Sequence, residues 1–266
     1  MAEFVLQRIE SGVATITLNR PDLHNAFNEQ VIAEIHAAFV AVGKRDDVRA
    51  VVLAGEGKSF CAGADVHWMS RMVGYSFDEN LADALTLANM LRAIHDCPKP
   101  VIARVHGAAL GGGTGLVAAC DMAVALESAL FGFTEARLGI IPAVISPFAL
   151  HKIGGTHARR YFLTAERFGA SDAMRIGLVS HVAKSIADMD AWIETIVKEI
   201  KSNGTQAVTA AKGLIDDVLA CSWDAVADLT GRRIAERRVS PEGQEGLKAF
   251  LEKRKPSWVA ASGDRA

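Results

Sequence analysis

Residues 105–116 constrain this chain more than any other stretch, carrying Gly107, Gly111, Gly112, Gly113 and Gly115 between two apolar runs, 100–105 and 116–120. The pattern predicts a strand, a glycine turn and a buried helix in succession. Such a turn leaves backbone N–H groups unpaired at a helix N-terminus, where the helix dipole also favours negative charge. The ligand of such a site is a phosphate, or an oxyanion that exists only during a reaction.

The chain has 266 residues, half of them hydrophobic, and a formal net charge of −2. That is enough for one sizeable core with a smaller appendage. The charge balance argues against nucleic acid, an anionic membrane surface or disorder as the main theme. Apolar runs are strand-length or broken by glycine and polar residues, so no membrane span is expected. Residues 1–8 lack a basic segment followed by an apolar one, and a cytoplasmic location is expected. Cys61, Cys97, Cys120 and Cys221 are scattered without a C-x-x-C pair, which weighs against zinc and disulfides. His24, His67 and His106 lack metal-ligand spacing, and no metal site is expected.

Residues 4–9 and 13–18 read as a hairpin turning at Ser11-Gly12. Asn28 should cap a helix carrying Ile32, Ile35, Ala38, Phe39 and Val42 at helical spacing. Residues 50–54 and 122–126 read as buried strands, and 77–95 as a helix leading to the strand before the glycine turn. This alternation predicts an α/β fold with crossover connections. Beyond about Ile186 the pattern is helical only, with breaks at Asn203-Gly204 and Ser240-Pro241. A last helix is expected over 246–255, with Leu247, Phe250 and Leu251 on one face.

Three readings compete for the glycine turn. A P-loop needs Gly-Lys-Ser/Thr after its glycines, and Thr114-Gly115 stands there instead. Gly113-x-Gly115-x-x-Ala118 fits a dinucleotide fingerprint with Glu135 downstream, yet Glu135 lies beyond the end of a strand and the motif follows an unneeded hairpin. Glycines serving only tight helix–strand packing are the structural alternative. A second loop, Ser59-Phe60-Cys61-Ala62-Gly63-Ala64-Asp65-Val66, also follows a buried strand. Two such loops after neighbouring strands can aim one donor each at the same oxygen, the geometry of an oxyanion hole. No G-x-S-x-G elbow is present, which disfavours a serine hydrolase. Cys61 near His67 reads as packing rather than a nucleophile, and Asp65 as a loop cap rather than a catalytic group.

Further segments sharpen this picture: Arg20-Pro21 with Asn25-Ala26, Lys99-Pro100-Val101-Ile102-Ala103, Cys120-Asp121, Phe131-Gly132-Phe133-Thr134-Glu135 with Leu138-Gly139, and residues 245–254. Together with the two loops, in this order and spacing, the chain resembles the crotonase superfamily, the enoyl-CoA hydratase/isomerase family, nearly end to end. The resemblance implies an α/β, ββα spiral core over 1–195 and a C-terminal helical lobe over 196–266 that serves oligomerisation, as a trimer or dimer of trimers. It implies an acyl-CoA thioester as substrate and no separate cofactor. It assigns the N–H groups of Ala64 and Gly112 to the thioester oxygen, whose negative charge grows as an enolate forms. Leu23, His24, Ala62, Asp65 and Val66 fall on stretches that hold the pantetheine arm and adenine. Phe250 and Lys253 match residues that touch the nucleotide end, often of a neighbouring subunit; a solvated lysine is the alternative for Lys253. Glu135 matches a catalytic glutamate, and a carboxylate beside an apolar pocket is suited to proton transfer near neutrality. A glutamate serving a helix N-terminus is its structural alternative.

Two departures from the family pattern bear on chemistry. Gly115 stands where hydratases of the family carry a first glutamate, so Glu135 has to orient water and deliver a proton alone, and a wider pocket is expected. Residues 141–148, Ile-Pro-Ala-Val-Ile-Ser-Pro-Phe, replace a glycine-rich segment and are expected, with Pro142, to line the acyl end. Both features resemble hydratases of branched glutaconyl-CoA (methylglutaconyl or isohexenylglutaconyl), whose distal carboxylate calls for a cation among Arg71, Arg104, Arg137 and Lys152. The sequence therefore points to an enoyl-CoA hydratase, a hydro-lyase. An isomerase or other enolate-forming enzyme, and a non-catalytic acyl-CoA-binding relative, are the alternatives.

Overall fold

A computed structural model describes residues 4–259; residues 1–3 and 260–266, the outer ends of the two expected domains, lie outside the described range. The first half runs β1 (Val5–Glu10), β2 (Val13–Leu18), α1 (Glu29–Gly43), β3 (Ala50–Gly55), α2 (Val66–Met72) and α3 (Phe77–His95). Next come β4 (Val101–Val105), β5 (Ala108–Leu110), α4 (Gly112–Ala119), β6 (Met122–Leu126) and β7 (Leu130–Gly132). Then follow α5 (Ser146–Thr164), β8 (Arg167–Gly169), α6 (Ala170–Arg175), β9 (His181–Ala183) and α7 (Ile186–Ser202). The chain closes with α8 (Thr205–Ala220), α9 (Val226–Val239) and α10 (Pro241–Leu251). None of the described helices is long and apolar enough to cross a membrane.

A six-stranded sheet has the order β1-β2-β3-β4-β6-β9, antiparallel only at the β1–β2 hairpin. Its central strand β3 is buried along its whole length, as expected for a parallel strand covered on both faces. Val51 and Leu53 turn to the face under α1 and α3, while Ala50 and Val52 turn to the face under α7, following the two-residue period of a strand. The Asn28 side chain accepts the Val31 N–H at 3.1 Å to start α1. A reciprocal Ser76–Glu79 capping box starts α3. The domain boundary expected at 195 falls inside α7, whose Ile200 still packs on the sheet. The chain leaves the core after Asn203-Gly204 instead.

A second, three-stranded sheet, β5-β7-β8, flanks the glycine turn. Its strands are three residues each, too short to show a hydrophobic period. The last helix begins earlier than expected: Ser240 Oγ accepts the Gly243 N–H at 3.1 Å and Pro241 occupies the first turn. The Ser-Pro pair is thus the expected break after α9 and at the same time the cap that starts α10. The same helix ends before Lys253, which adopts φ 54°.

Candidate active site

The glycine turn forms as the sequence predicts, with β5 added between β4 and the turn. Gly111 precedes α4 at φ 52°, in the left-handed region that glycine adopts freely. Its N–H donates to the Gly132 carbonyl at 2.8 Å, tying the turn to β7. Thr114, fully buried on the first turn of α4, donates to the Ala109 carbonyl at 2.6 Å and accepts the Gly132 N–H at 3.2 Å. One hydroxyl therefore locks α4 to β5 and β7. Sequence reading passed over this residue, although a lone hydroxyl in an otherwise apolar, buried helix is the signal that exposes it.

The second loop is held as an improvised strand. Cys61 donates to the Ala108 carbonyl and accepts from Leu110, both at 3.0 Å. Further on, Phe27 donates to the Gly63 carbonyl and accepts from Asp65, both at 2.9 Å. Because Gly63 and Asp65 turn their polar groups to Phe27, the alternation of extended backbone turns the Ala64 N–H the other way. The Gly112 N–H, at the start of α4, has no intrahelical acceptor. Among the described residues neither amide donates to any protein acceptor. A Cβ placed on Gly63 would lie 3.8 Å from the Gly112 nitrogen, so the two stretches of backbone are neighbours.

Arg20 and Asn25 brace this loop. Asn25, buried at φ 54°, accepts the Arg20 N–H and donates to the carbonyls of Glu56 and Ser59, all at 2.8 Å. Arg20 pairs with Asp65 at 2.8 Å. Asp65 also caps α2, accepting the His67 N–H at 2.7 Å. Burial alone would raise the Asp65 carboxyl, but hydrogen bonds from Arg20, His67 and Trp68 hold it below the usual carboxylate range. Both its carboxylate and its N–H are committed to protein partners, in line with the capping role. Burial pushes the Cys61 thiol up to about 12, which suits packing and not nucleophilic attack.

Glu135 opens the 3-10 turn that follows β7, after Phe133, whose buried ring packs on Phe162 at 4.9 Å. A Cβ on Gly111 would lie 3.4 Å from Glu135 Oε1, which brings the carboxylate to the glycine turn. Its Oε2 is buried without any hydrogen-bond partner. Burial pushes the carboxyl above its usual range, an effect its own backbone N–H partly offsets. A carboxylate serving a helix N-terminus would have spent both oxygens; this one is left open.

Gly115 does not widen the pocket as expected. The space a side chain would take there is filled by Ile145, whose Cβ lies 2.9 Å from a Cβ built on Gly115. Ile145 is 2% exposed and ends the loop into α5. The other expected site residues spread along the surface around the second loop: Leu23 and His24 are exposed, Ala62 is half-buried, and Val66 is 76% exposed. His24 Nδ1 lies 3.0 Å from Ser59 Oγ, and its carbonyl accepts the Ala62 N–H. Pro142 is buried in the loop before α5, whereas Ile141 beside it is exposed. Phe250 and Lys253 are both exposed on the C-terminal lobe. Of the four cations considered, Arg71 pairs with Glu29, Arg104 forks onto Asp190, Arg137 donates to the Ala165 carbonyl, and Lys152 reaches the Asp121 carbonyl.

Two donor-bearing loops and one open carboxylate at a shared corner suit an acyl group that gains negative charge as it reacts. The sequence matches the enoyl-CoA hydratase/isomerase family over residues 8–261. The chain belongs to this family. A crystal structure of an enoyl-CoA hydratase from Shewanella pealeana superposes with a TM-score of 0.93 at 39% identity, over 96% of both chains. The short-chain-enoyl-CoA hydratase of Clostridium acetobutylicum is 33% identical over 94% of this chain and 95% of its own length. The peroxisomal Delta(3,5)-Delta(2,4)-dienoyl-CoA isomerase of Arabidopsis thaliana is 31% identical over 97% and 96%. The fold is that of the family, and its relatives divide between adding water to a double bond and moving one.

Proposed function

We propose that the protein hydrates an α,β-unsaturated acyl-CoA. The thioester oxygen accepts from the amides of Ala64 and Gly112, with the N-terminus of α4 adding its dipole. Glu135 accepts a proton from water while the water oxygen bonds to the β-carbon and the π electrons move onto the thioester oxygen as an enolate. The same carboxyl then gives a proton to the α-carbon as the carbonyl re-forms. Coenzyme A arrives as part of the substrate, so this sequence of steps calls for no separate cofactor. The observation that supports the reading is the unbonded Glu135 oxygen beside two unspent amides.

Loss of the conjugated-thioester absorbance with crotonyl-, methylcrotonyl- and 3-methylglutaconyl-CoA tests it. Glu135→Gln should lower turnover by about 10²–10⁴-fold, the usual worth of a positioned general acid–base, while binding of the ester survives. Turnover that barely changes would refute the assignment. A clear preference for the methylglutaconyl ester would support the branched-glutaconyl reading, which rests on Gly115 and the 141–148 run.

An isomerase is the second reading, favoured by the apolar Ile145 side chain filling the place beside Gly115 where a second carboxylate would stand. Products formed in ¹⁸O-water separate the two, because only hydration places solvent oxygen in the product. For assembly and location the proposal follows the sequence: a trimer or dimer of trimers in the cytoplasm.

A further inference from the structure

The run from Val144 to Phe148 divides its side chains between two tasks. Val144, Pro147 and Phe148 line a cleft of about 540 Å³ shared with His151 and Leu219, whereas Ile145 between them turns onto Gly115. One helical turn further along, Ala118 of α4 and Phe148 of α5 face a cavity of about 210 Å³, also bordered by Lys152 and Leu219. Gly115 and Ala118 share a face of α4, three residues apart, as Ile145 and Phe148 do at the start of α5. Ile145, packed on Gly115, therefore stands between the first turn of α4, whose Gly111 lies beside Glu135, and this second space.

We propose that Ile145 sets the length of acyl group the site accepts, acting as a plug between the reacting carbons and the α4–α5 cavity. This rests on the acyl-CoA reading above. An acyl chain that continues past Gly115 meets the Ile145 side chain after a few carbons, so short acyl groups fit and longer ones do not. Shortening residue 145 joins the site to a space walled partly by Ala118, Phe148 and Leu219, where each buried methylene raises affinity about fourfold. The plug is size-coupled to position 115: Ile145 occupies the room that any side chain there would need.

The test is calorimetric binding of saturated acyl-CoA esters, from butyryl to decanoyl, to the full-length protein, with free coenzyme A as a reference. Wild type should bind the short esters best. Ile145→Ala should move the optimum up by about three carbons, the number of side-chain carbons removed, and Ile145→Val by about one, with coenzyme A binding unchanged. Gly115→Ala should lose ester binding alone and regain it with Ile145→Ala. Thermal melts report whether each variant is folded, and the valine variant carries the test if the alanine one is not. Identical chain-length profiles in wild type and the folded 145 variants, or no rescue in the double variant, would overturn the plug. If neither wild type nor variants bind any ester, the acyl-CoA reading itself fails and the plug falls with it.

Discussion

Glu135 holds a carboxyl where ionisation is costly, and that has a consequence for stability as well as for turnover. Its pKa is raised in the folded chain by burial, so the native state holds this proton more tightly than the unfolded state does. Stability therefore falls as pH rises from the unfolded pKa, about 4.3, through the raised folded value. Glu135→Gln removes the ionisation. The variant should melt higher than wild type at pH 7, and the gap should close as pH falls to about 4. A gap independent of pH in the thermal melts would contradict the desolvated carboxyl. At this scale the sequence pointed to the Asp65 cap, which the structure bears out, while the roles expected of Glu135, Ala64 and Gly112 belong to the proposal above. The sequence placed Ile145 in the run expected to line the acyl end but not against Gly115, because that contact spans thirty positions and neither residue has a local pattern that announces the other.

α4 is short, its N-terminus is the donor end, and its aim depends on what it is pinned to. Thr114 supplies that pin. Thr114→Val keeps the shape and deletes the hydroxyl, leaving the buried Gly132 N–H and one acceptor site of the Ala109 carbonyl unmet, at a cost of about 1–3 kcal/mol. Denaturant unfolding should show that loss, and kcat should fall about tenfold or more with KM little changed, since the amide's aim matters most in the transition state. Thr114→Ser should recover most of both. Element boundaries were readable where caps and periods agree: α1 begins after Asn28, and α3 spans the expected 77–95. The strands β5, β7 and β8 were not, being set by pairing with one another. α5 escaped too, since Gly154 at φ 65° interrupts its helical pattern.

Across the whole molecule, the sheet body is self-contained and the C-terminal lobe is not. Lys212 pairs with Asp121 at 2.8 Å, His95 with Asp216 at 3.1 Å, and Thr209 donates to the Pro98 carbonyl at 2.8 Å, all holding α8 to the core. Yet α8 and α9 bury no residue fully, and Phe250 and Leu251 on α10 are 80% and 78% exposed. The assembly proposed above would cover these exposed apolar faces. Light scattering should report an assembly larger than a monomer, and Phe250→Asp should weaken it. If the neighbour's nucleotide end lies under Phe250 and Lys253, the same variant raises KM for acyl-CoA but not for the acyl-pantetheine ester, which lacks the nucleotide. The helical character of the lobe was evident in the sequence, but its point of departure was not, because α7 continues the helical pattern while still packing on the sheet.

The donors at the heart of the site are main-chain amides, held by Phe27, Cys61 and Thr114 rather than by their own side chains. No substitution at Ala64 or Gly112 short of proline deletes an N–H, and alanine at Gly112 would be read through its clash with Phe27, so side-chain scanning would not isolate the amides proposed to meet the developing charge. An inherited change could rewrite the whole acyl lining, Ile145 included, and leave the polarising apparatus intact. On the proposed mechanism, the charge would rest on the part of the polypeptide that mutation reaches last.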